Sequence, residues 1–483
     1  MSIRFNKPLI IFSLLMLVAA AMRLWSIDTM SLSNDEFSSW IRSIRSPTWA
    51  SMIQDGVMTD GHPPFTYSFL RLWLSIFGDS VIAIRIPFIM AGLLGLVYVY
   101  HLGRLWFSNT TALLVVALLA SLAYPIYYHQ VARQPAFGFL WVQAAAYYWT
   151  LFLFHNKGVA KDKWNAILWV LMAALSCYTH YFAMMAVGLM GITGLFFLNK
   201  DNYNSYLLSC IAVLASVLPI YPIIKLQYSY GGVGWIPVPK HDWLITYLQY
   251  TFNNSRAIYI AVALLVICAI GLATHFKQWR FSKFQWIGIA WFLISFLIGY
   301  LKSVYAPPIL QASCLLFTYP FLLLSVFSLW QDDWHLFSKH LKVYFLAIPL
   351  LVLTAYNTAI TTGYYHTEHH GEFKALARQM AEWDTLCKSD AIKIANVNGD
   401  AYWNYYWYRY QHKTVALTVY KTEMPDEILR LDSILTRAKE RKLIFAWTNK
   451  YTPEEVFHVI EKYYPHLLIN QSHFNSEIRL YAK

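Results

Sequence analysis

Apolar runs long enough to cross a membrane recur along this chain, and they constrain its fold more than any other feature. After a short basic start with Arg4 and Lys7, one run reaches Trp25. Further runs lie near 80–102, 110–128, 135–154, 164–179, 181–198, 206–226, 257–274, 284–302, 308–329 and 342–361. A helix needs about 20 apolar residues to cover roughly 30 Å of hydrocarbon, so the pattern predicts a polytopic α-helical membrane protein with about 11 transmembrane helices. The first run has no small-residue cleavage site and reads as an uncleaved span rather than a signal peptide. The runs on either side of Thr179-His180-Tyr181 are both short, and merging them into one helix would invert the topology downstream.

The chain is 58% hydrophobic and 13% charged, about half the charge usual in soluble domains, which excludes a soluble class. Its net charge of +12 is spread through apolar blocks rather than gathered in a basic arm. Membrane lipids and phosphorylated lipids are therefore the expected partners, and nucleic acid is not. Cys177, Cys210, Cys268 and Cys314 lie in apolar runs and Cys387 in the polar tail, so no disulfide framework or zinc spacing is visible.

With the N-terminus inside, the cytoplasmic connections hold Arg4, Lys7, Arg104, Lys157, Lys161, Lys163, Lys200, Lys277, Arg280, Lys283, Lys339 and Lys342, in line with the positive-inside rule. The outer side also carries cations: Arg42, Arg45, Arg71, Arg85, Arg133, Lys225, Lys240, Arg256 and Lys302. A site for a lipid phosphate needs such charges. The expected location is the inner cell membrane, multi-pass. A long outer connection around Tyr228–Arg256 is rich in glycine and proline, which fits either a lid or an ordinary loop.

The composition changes after about Gly363, dividing a membrane domain, 1–363, from a polar domain, 364–483. AIKIANV, TVALTVY, KLIFAWT and EIRLYAK read as strands, while EFKALARQMAEW, EMPDEILRLDSILTRAKERK and TPEEVFHVIEKYY read as helices. The expectation is a soluble α/β domain on the periplasmic side. It has no glycine-rich phosphate loop and no nucleophile elbow, so its expected role is structural or acceptor-recruiting. The run Tyr364–His370 contains His366, His369 and His370 without the regular spacing of a metal site.

The first outer loop, 27–79, concentrates the polar chemistry. It holds Asp35, Glu36, Asp55 and Asp60 beside Arg42, Arg45 and His62, and carboxylates close to lipid are costly enough that they usually serve a function. Ser33-Asn34-Asp35-Glu36 opens a helix with Phe37, Trp40, Ile41 and Ile44 on one face. Ser33 and Glu36 have capping-box spacing and Asp35 suits the helix dipole, so local structure alone accounts for both acids unless chemistry claims them. In Asp60-Gly61-His62-Pro63-Pro64, the prolines fix an extended approach to the next helix, which holds Asp60 and His62 at a defined angle above the membrane. A turn-capping role for Asp60 is the plainer alternative.

The Asp-Glu pair after the first span, followed by DGHPPFTYSFLRLWLSIFGDSVIAIRIPFIMAGLLGLVYVYHLGRLWF, resembles the N-terminal half of GT-C glycosyltransferases. The resemblance is to glycosyltransferase family 39, which includes protein O-mannosyltransferases and the bacterial transferases that place aminoarabinose on lipid A. YPIYYHQVAR and THYFAMMAVGLMG are similar to later segments of that family, and the likeness covers roughly residues 8–200. It implies transfer of a sugar, with inversion, from a polyprenyl-phosphate donor to a glycan, lipid or protein acceptor on the outer face. It also implies Asp35 as general base or acceptor-orienting group, Asp60 as a second acid, and a less defined role for Glu36.

A departing lipid phosphate gains charge that cations or a metal must stabilise. The candidates are Arg42, Arg45, His62, Arg85, Arg133, His180 and Lys302, although headgroup anchoring also suits the arginines and a core hydrogen bond also suits His180. Where relatives have an acid before the alanine-arginine pair, this chain has Val131; where many have arginine-tyrosine after a proline, it has Pro307-Pro308-Ile309-Leu310, and Lys302 is the substitute phosphate contact. A divalent cation held by Asp35 and Asp60 is an open option. The rival readings are a lipid-linked sugar transporter or flippase, which should place acids at mid-span in paired broken helices, and a noncatalytic membrane anchor.

Overall fold

Among the described residues, seven helices are long and apolar enough to cross a membrane: Lys7–Leu24, Val81–Trp106, Gln134–Phe154, Tyr203–Ser229, Arg256–His275, Lys283–Tyr305 and Val343–Thr361. The pair Asn109–Ser121 and Ala123–Gln130, bent by 62°, makes eight if counted as one broken span. The computed structural model describes residues 6–155, 159–231, 234–279, 281–335, 341–369, 371–388, 390–412, 414–422, 424 and 426–483. Arg4, Lys157, Arg280, Lys339 and His370 of the sequence reading lie outside them.

The expected count of eleven differs from these seven or eight for identifiable reasons. The two runs around His180 form Val159–Thr179 and the shorter Tyr181–Leu195, and His180 between them is extended, with φ −158° and ψ 141°. The run at 308–329 breaks into Ala312–Leu315 and Tyr319–Val326. Pro320 falls at the start of the second piece, where its missing N–H costs nothing, so the run is punctuated rather than continuous.

The chain divides into two compact units. The first is Met1–Trp25 with Arg42–Tyr364; the second is Ser26–Ile41 with Tyr365–Lys483. Because Ser26–Ile41 folds together with the C-terminal residues, both must lie on one side of the membrane. The chain therefore crosses an even number of times between Arg42 and Tyr364.

In the first unit, Asn109–Ser121 is buried on every face from Thr110 to Ser121, as expected of a helix apolar all round. Asp332 accepts hydrogen bonds from Asn109 N at 3.0 Å and Thr110 N at 2.8 Å, capping its start. The helix breaks at Leu122, whose backbone turns extended, and Pro125 follows. The break orphans carbonyls in a fully buried stretch. Arg23, fully buried, takes two of them: Nη2 donates to Leu119 O and Nη1 to Ala120 O, both at 2.8 Å. Its Nε donates to His129 Nδ1 at 3.1 Å, and a Cβ on Gly92 would strike that imidazole. Thr358 Oγ1 donates to Ser121 O at 2.6 Å, the carbonyl that Pro125 cannot serve. Replacing Arg23 with leucine is expected to leave the Leu119 and Ala120 carbonyls unpaired at about 1–3 kcal/mol each. The check is the thermal midpoint of the purified protein, and an unchanged midpoint would count against this account.

The second unit contains a five-stranded sheet, β1 (Ala391–Asn396), β2 (Thr418–Tyr420), β3 (Lys442–Thr448), β4 (His466–His473) and β5 (Ser476–Ala482), in the order β2-β1-β3-β5-β4. β1 pairs in parallel with β2 and β3, while β5 runs antiparallel to both β3 and β4. Leu431, Leu435, Val456 and Ile460 of helices Glu427–Arg437 and Glu454–Tyr463 share a core with Ile394, Leu443 and Phe445. Helices Phe373–Leu386 and Asp400–Gln411 pack together, the former against β3 and β5. β4 and the Asp400–Gln411 helix were not foreseen: DAYWNYYWYRYQ has aromatic residues on all faces and no helical period, and the edge strand is largely exposed.

Candidate active site

The site in the first unit is built by the loop that closes onto the end of the Asn34–Ile44 helix. Met52–Val57 forms a π-helix, a rare element frequent at functional sites. Arg42 Nη1 donates to Gly56 O and to Thr59 Oγ1, each at 2.6 Å. The chains approach so closely here that a Cβ at Gly56 would lie 2.7 Å from Arg42 O. Gln227 Nε2 donates to Val57 O at 2.7 Å and His62 O at 3.0 Å, and Tyr181 Oη donates to Gln227 Oε1 at 2.5 Å. These bonds hold the loop at both ends of the turn containing Asp60.

Asp60 is the centre of the group, its side chain only 12% exposed. Oδ2 accepts from His62 Nδ1 at 3.0 Å and from the Tyr67 hydroxyl, with Arg133 Nη1 3.7 Å away; Oδ1 faces Arg42 Nη2 at 3.9 Å. Burial acts to raise the carboxyl's pKa, but Arg133, the bond and charge of His62, and Arg42 outweigh it and hold the group far below the usual carboxylate range. Asp60 is consequently an anion and a weak base. The His62 ring lies 5.2 Å from that of His180, whose Nδ1 accepts from Phe182 N at 3.0 Å.

Tyr67 is fully buried and was missed by sequence reasoning. Its oxygen accepts from Arg133 Nη1 at 3.0 Å and Gln134 Nε2 at 2.8 Å, which uses both lone pairs, so its proton must go to Asp60. The only signals were its place three residues after the proline pair and the polar Arg133-Gln134 at the start of an apolar run. Tyr67→Phe is expected to lower stability by about 1–3 kcal/mol, because buried Gln134 and part-buried Arg133 lose this acceptor. A thermal midpoint equal to the wild type would show that the bond contributes nothing.

The structure thus brings Arg42, Asp60, His62, Arg133 and His180 together. Arg45 is exposed, and Arg85 is buried near the start of Val81–Trp106. Lys302 Nζ donates to Pro307 O at 3.2 Å. Asp35 and Glu36 belong to the second unit. There Glu36 is fully buried and closes a capping box: its Oε2 accepts from Ser33 N at 2.9 Å, and its N donates to Ser33 Oγ at 3.1 Å. Asp35, beside it, is exposed. Among the described residues no group of three or more His, Cys, Asp or Glu could hold a metal ion. A phenol, an imidazole and two guanidiniums around Asp60 are a poor setting for a further cation.

Residues 61–224 match the family described as dolichyl-phosphate-mannose-protein mannosyltransferase. This match covers about a third of the chain, and it makes that stretch similar to a glycosyltransferase family in a chain whose described residues include several helices long and apolar enough to cross a membrane. Among solved structures, ArnT from Cupriavidus metallidurans bound to undecaprenyl phosphate aligns with 97% of this chain and 97% of its own, at 10% identity and a TM-score of 0.61. The same protein in the apo state aligns over the same shares at 10% identity and a TM-score of 0.63. At that identity the likeness speaks for the fold. No curated protein matches the chain.

Proposed function

We propose that this protein moves a sugar from a polyprenyl-phosphate carrier to a glycan, lipid or protein acceptor on the outer, periplasmic face of the inner membrane. The observation that carries the reading is the Asp60 group. One carboxylate draws two arginines and a histidine together in a nearly buried position, beside a loop that leads into apolar helices. Such a place suits a lipid phosphate. The solved ArnT complex, with the same fold and undecaprenyl phosphate bound, supports the choice of ligand.

In the reaction, the bond between the anomeric carbon and the phosphate oxygen breaks while one to the acceptor hydroxyl oxygen forms. Asp35 takes the acceptor proton, and Arg42, Arg133 and His62 receive the charge that develops on the departing phosphate. Asp60 is a poor base, since Arg133, His62 and Arg42 hold its pKa far below the usual carboxylate range and leave its anion with little affinity for a proton. It is a positioning residue that keeps the cations in place.

The test uses the full chain in lipid nanodiscs for transfer and in sealed lipid vesicles for transport, with a panel of undecaprenyl-phosphate pentoses and hexoses. Release of undecaprenyl phosphate with an acceptor supports the proposal. Movement of an intact donor across a vesicle without cleavage would replace it with the flippase reading.

A further inference from the structure

The C-terminal sheet domain has no catalytic motif, yet its most aromatic helix is organised around a residue from the distant first loop. Phe37 is fully buried and stacks on Tyr402 with ring centroids 4.6 Å apart. Phe373 and Tyr405 meet it edge-on at 5.4 Å and Tyr406 at 5.8 Å, and Trp40 meets Tyr405 at 5.1 Å. The backbone before the helix is tied by the same domain. Leu32 N donates to Tyr406 Oη at 2.7 Å, Lys374 N to Ser31 Oγ at 2.8 Å, and Lys374 Nζ to Asp28 O at 2.7 Å.

We infer that the C-terminal unit serves as the mount for the helix that presents Asp35, with Phe37 as its pin and Tyr406 as a second tie. The inference rests on the reading of Asp35 as the catalytic carboxylate. Phe37 lies two residues beyond Asp35, on a helix whose N-cap is closed by Ser33 and Glu36, so holding Phe37 fixes both the position and the rotation of the turn bearing Asp35. The mount accounts for part of the departure of DAYWNYYWYRYQ from an ordinary amphipathic pattern: Tyr402, Tyr405 and Tyr406 lie in its first two turns and are spent on the pin. Phe37 and Tyr406 are positioning residues, and neither touches substrate in this scheme.

The experiment is hydrogen exchange on the full chain in nanodiscs, following residues 31–41, together with kinetics on whichever undecaprenyl-phosphate sugar the panel shows to turn over. Phe37→Ala is expected to raise exchange in 34–41. It should also lower kcat by roughly tenfold to a hundredfold, the scale of a reacting group displaced by about 1 Å. Tyr406→Phe keeps the ring and removes the hydroxyl that accepts from Leu32 N, so faster exchange is expected at Leu32 and its neighbours. It also serves as the deciding variant if Phe37→Ala does not fold. Unchanged exchange in the variants that fold overturns the inference. Full activity in Asp35→Asn would defeat the catalytic reading instead, and the two failures are told apart because exchange is measured without any substrate.

Discussion

Asp60→Asn is expected to cost both stability and transfer, and the reason is electrostatic rather than loss of a base. In the native protein one nearly buried carboxylate accepts from His62 and Tyr67 and faces two guanidiniums. Asparagine has no charge and must point its NH2 either at the donors now served by Oδ2 or at Arg42. Removing one partner of a buried ion pair costs about 3–5 kcal/mol, because the charge left behind loses its counter-ion in a poorly hydrated place. Transfer should fall by a hundredfold or more if the arginines lose their placement, on the order of the 10²-fold loss that follows a misplacement of about 1 Å.

The pH dependence of this prediction has a definite sign. Because the folded-state pKa is depressed, Asp60 contributes stability that is fully present above the ordinary carboxylate value of about 4 and is lost as pH falls toward the folded value. The gap in thermal midpoint between wild type and Asp60→Asn should therefore be constant near neutral pH and narrow in strong acid. A variant with wild-type midpoint and wild-type transfer would remove Asp60 from the site altogether.

Much of this site was legible because it rests on local chain features. Asp60, His62 and the proline pair lie within five consecutive residues, and the prolines dictate an extended approach wherever they occur. Arg133 was visible as a cation closing an apolar run. The rest depends on tertiary pairing. Tyr67 is one aromatic among many in an apolar helix, and only its three partners distinguish it. Arg23 looks like a basic end to the first span, whereas it is fully buried against carbonyls nearly a hundred residues away. The strong elements of the C-terminal domain were readable, and β3 falls where its continuous apolar run lies. The edge strand β4 and the aromatic helix were not, because one is barely buried and the other spends its side chains on a different stretch of chain.

The adjacent acids Asp35 and Glu36 should part company on mutation. Glu36 is fully buried and its carboxylate accepts from Ser33 N, so it helps to start the helix. Glu36→Ala is expected to lower stability by about 1 kcal/mol, the usual cost of a lost cap. Glu36→Gln, which keeps a side-chain oxygen for Ser33 N, should retain transfer close to the wild type. Asp35 is exposed one residue earlier, where a carboxylate can meet an acceptor hydroxyl. Asp35→Asn preserves the shape and removes the proton acceptor, so transfer should fall by roughly 10²–10⁴-fold, the usual contribution of a general base. Its thermal midpoint and its affinity for undecaprenyl phosphate should stay near wild type. The reverse pattern, with Glu36→Gln inactive and Asp35→Asn active, would move the proton transfer to Glu36 and show that the capping bond breaks when an acceptor binds.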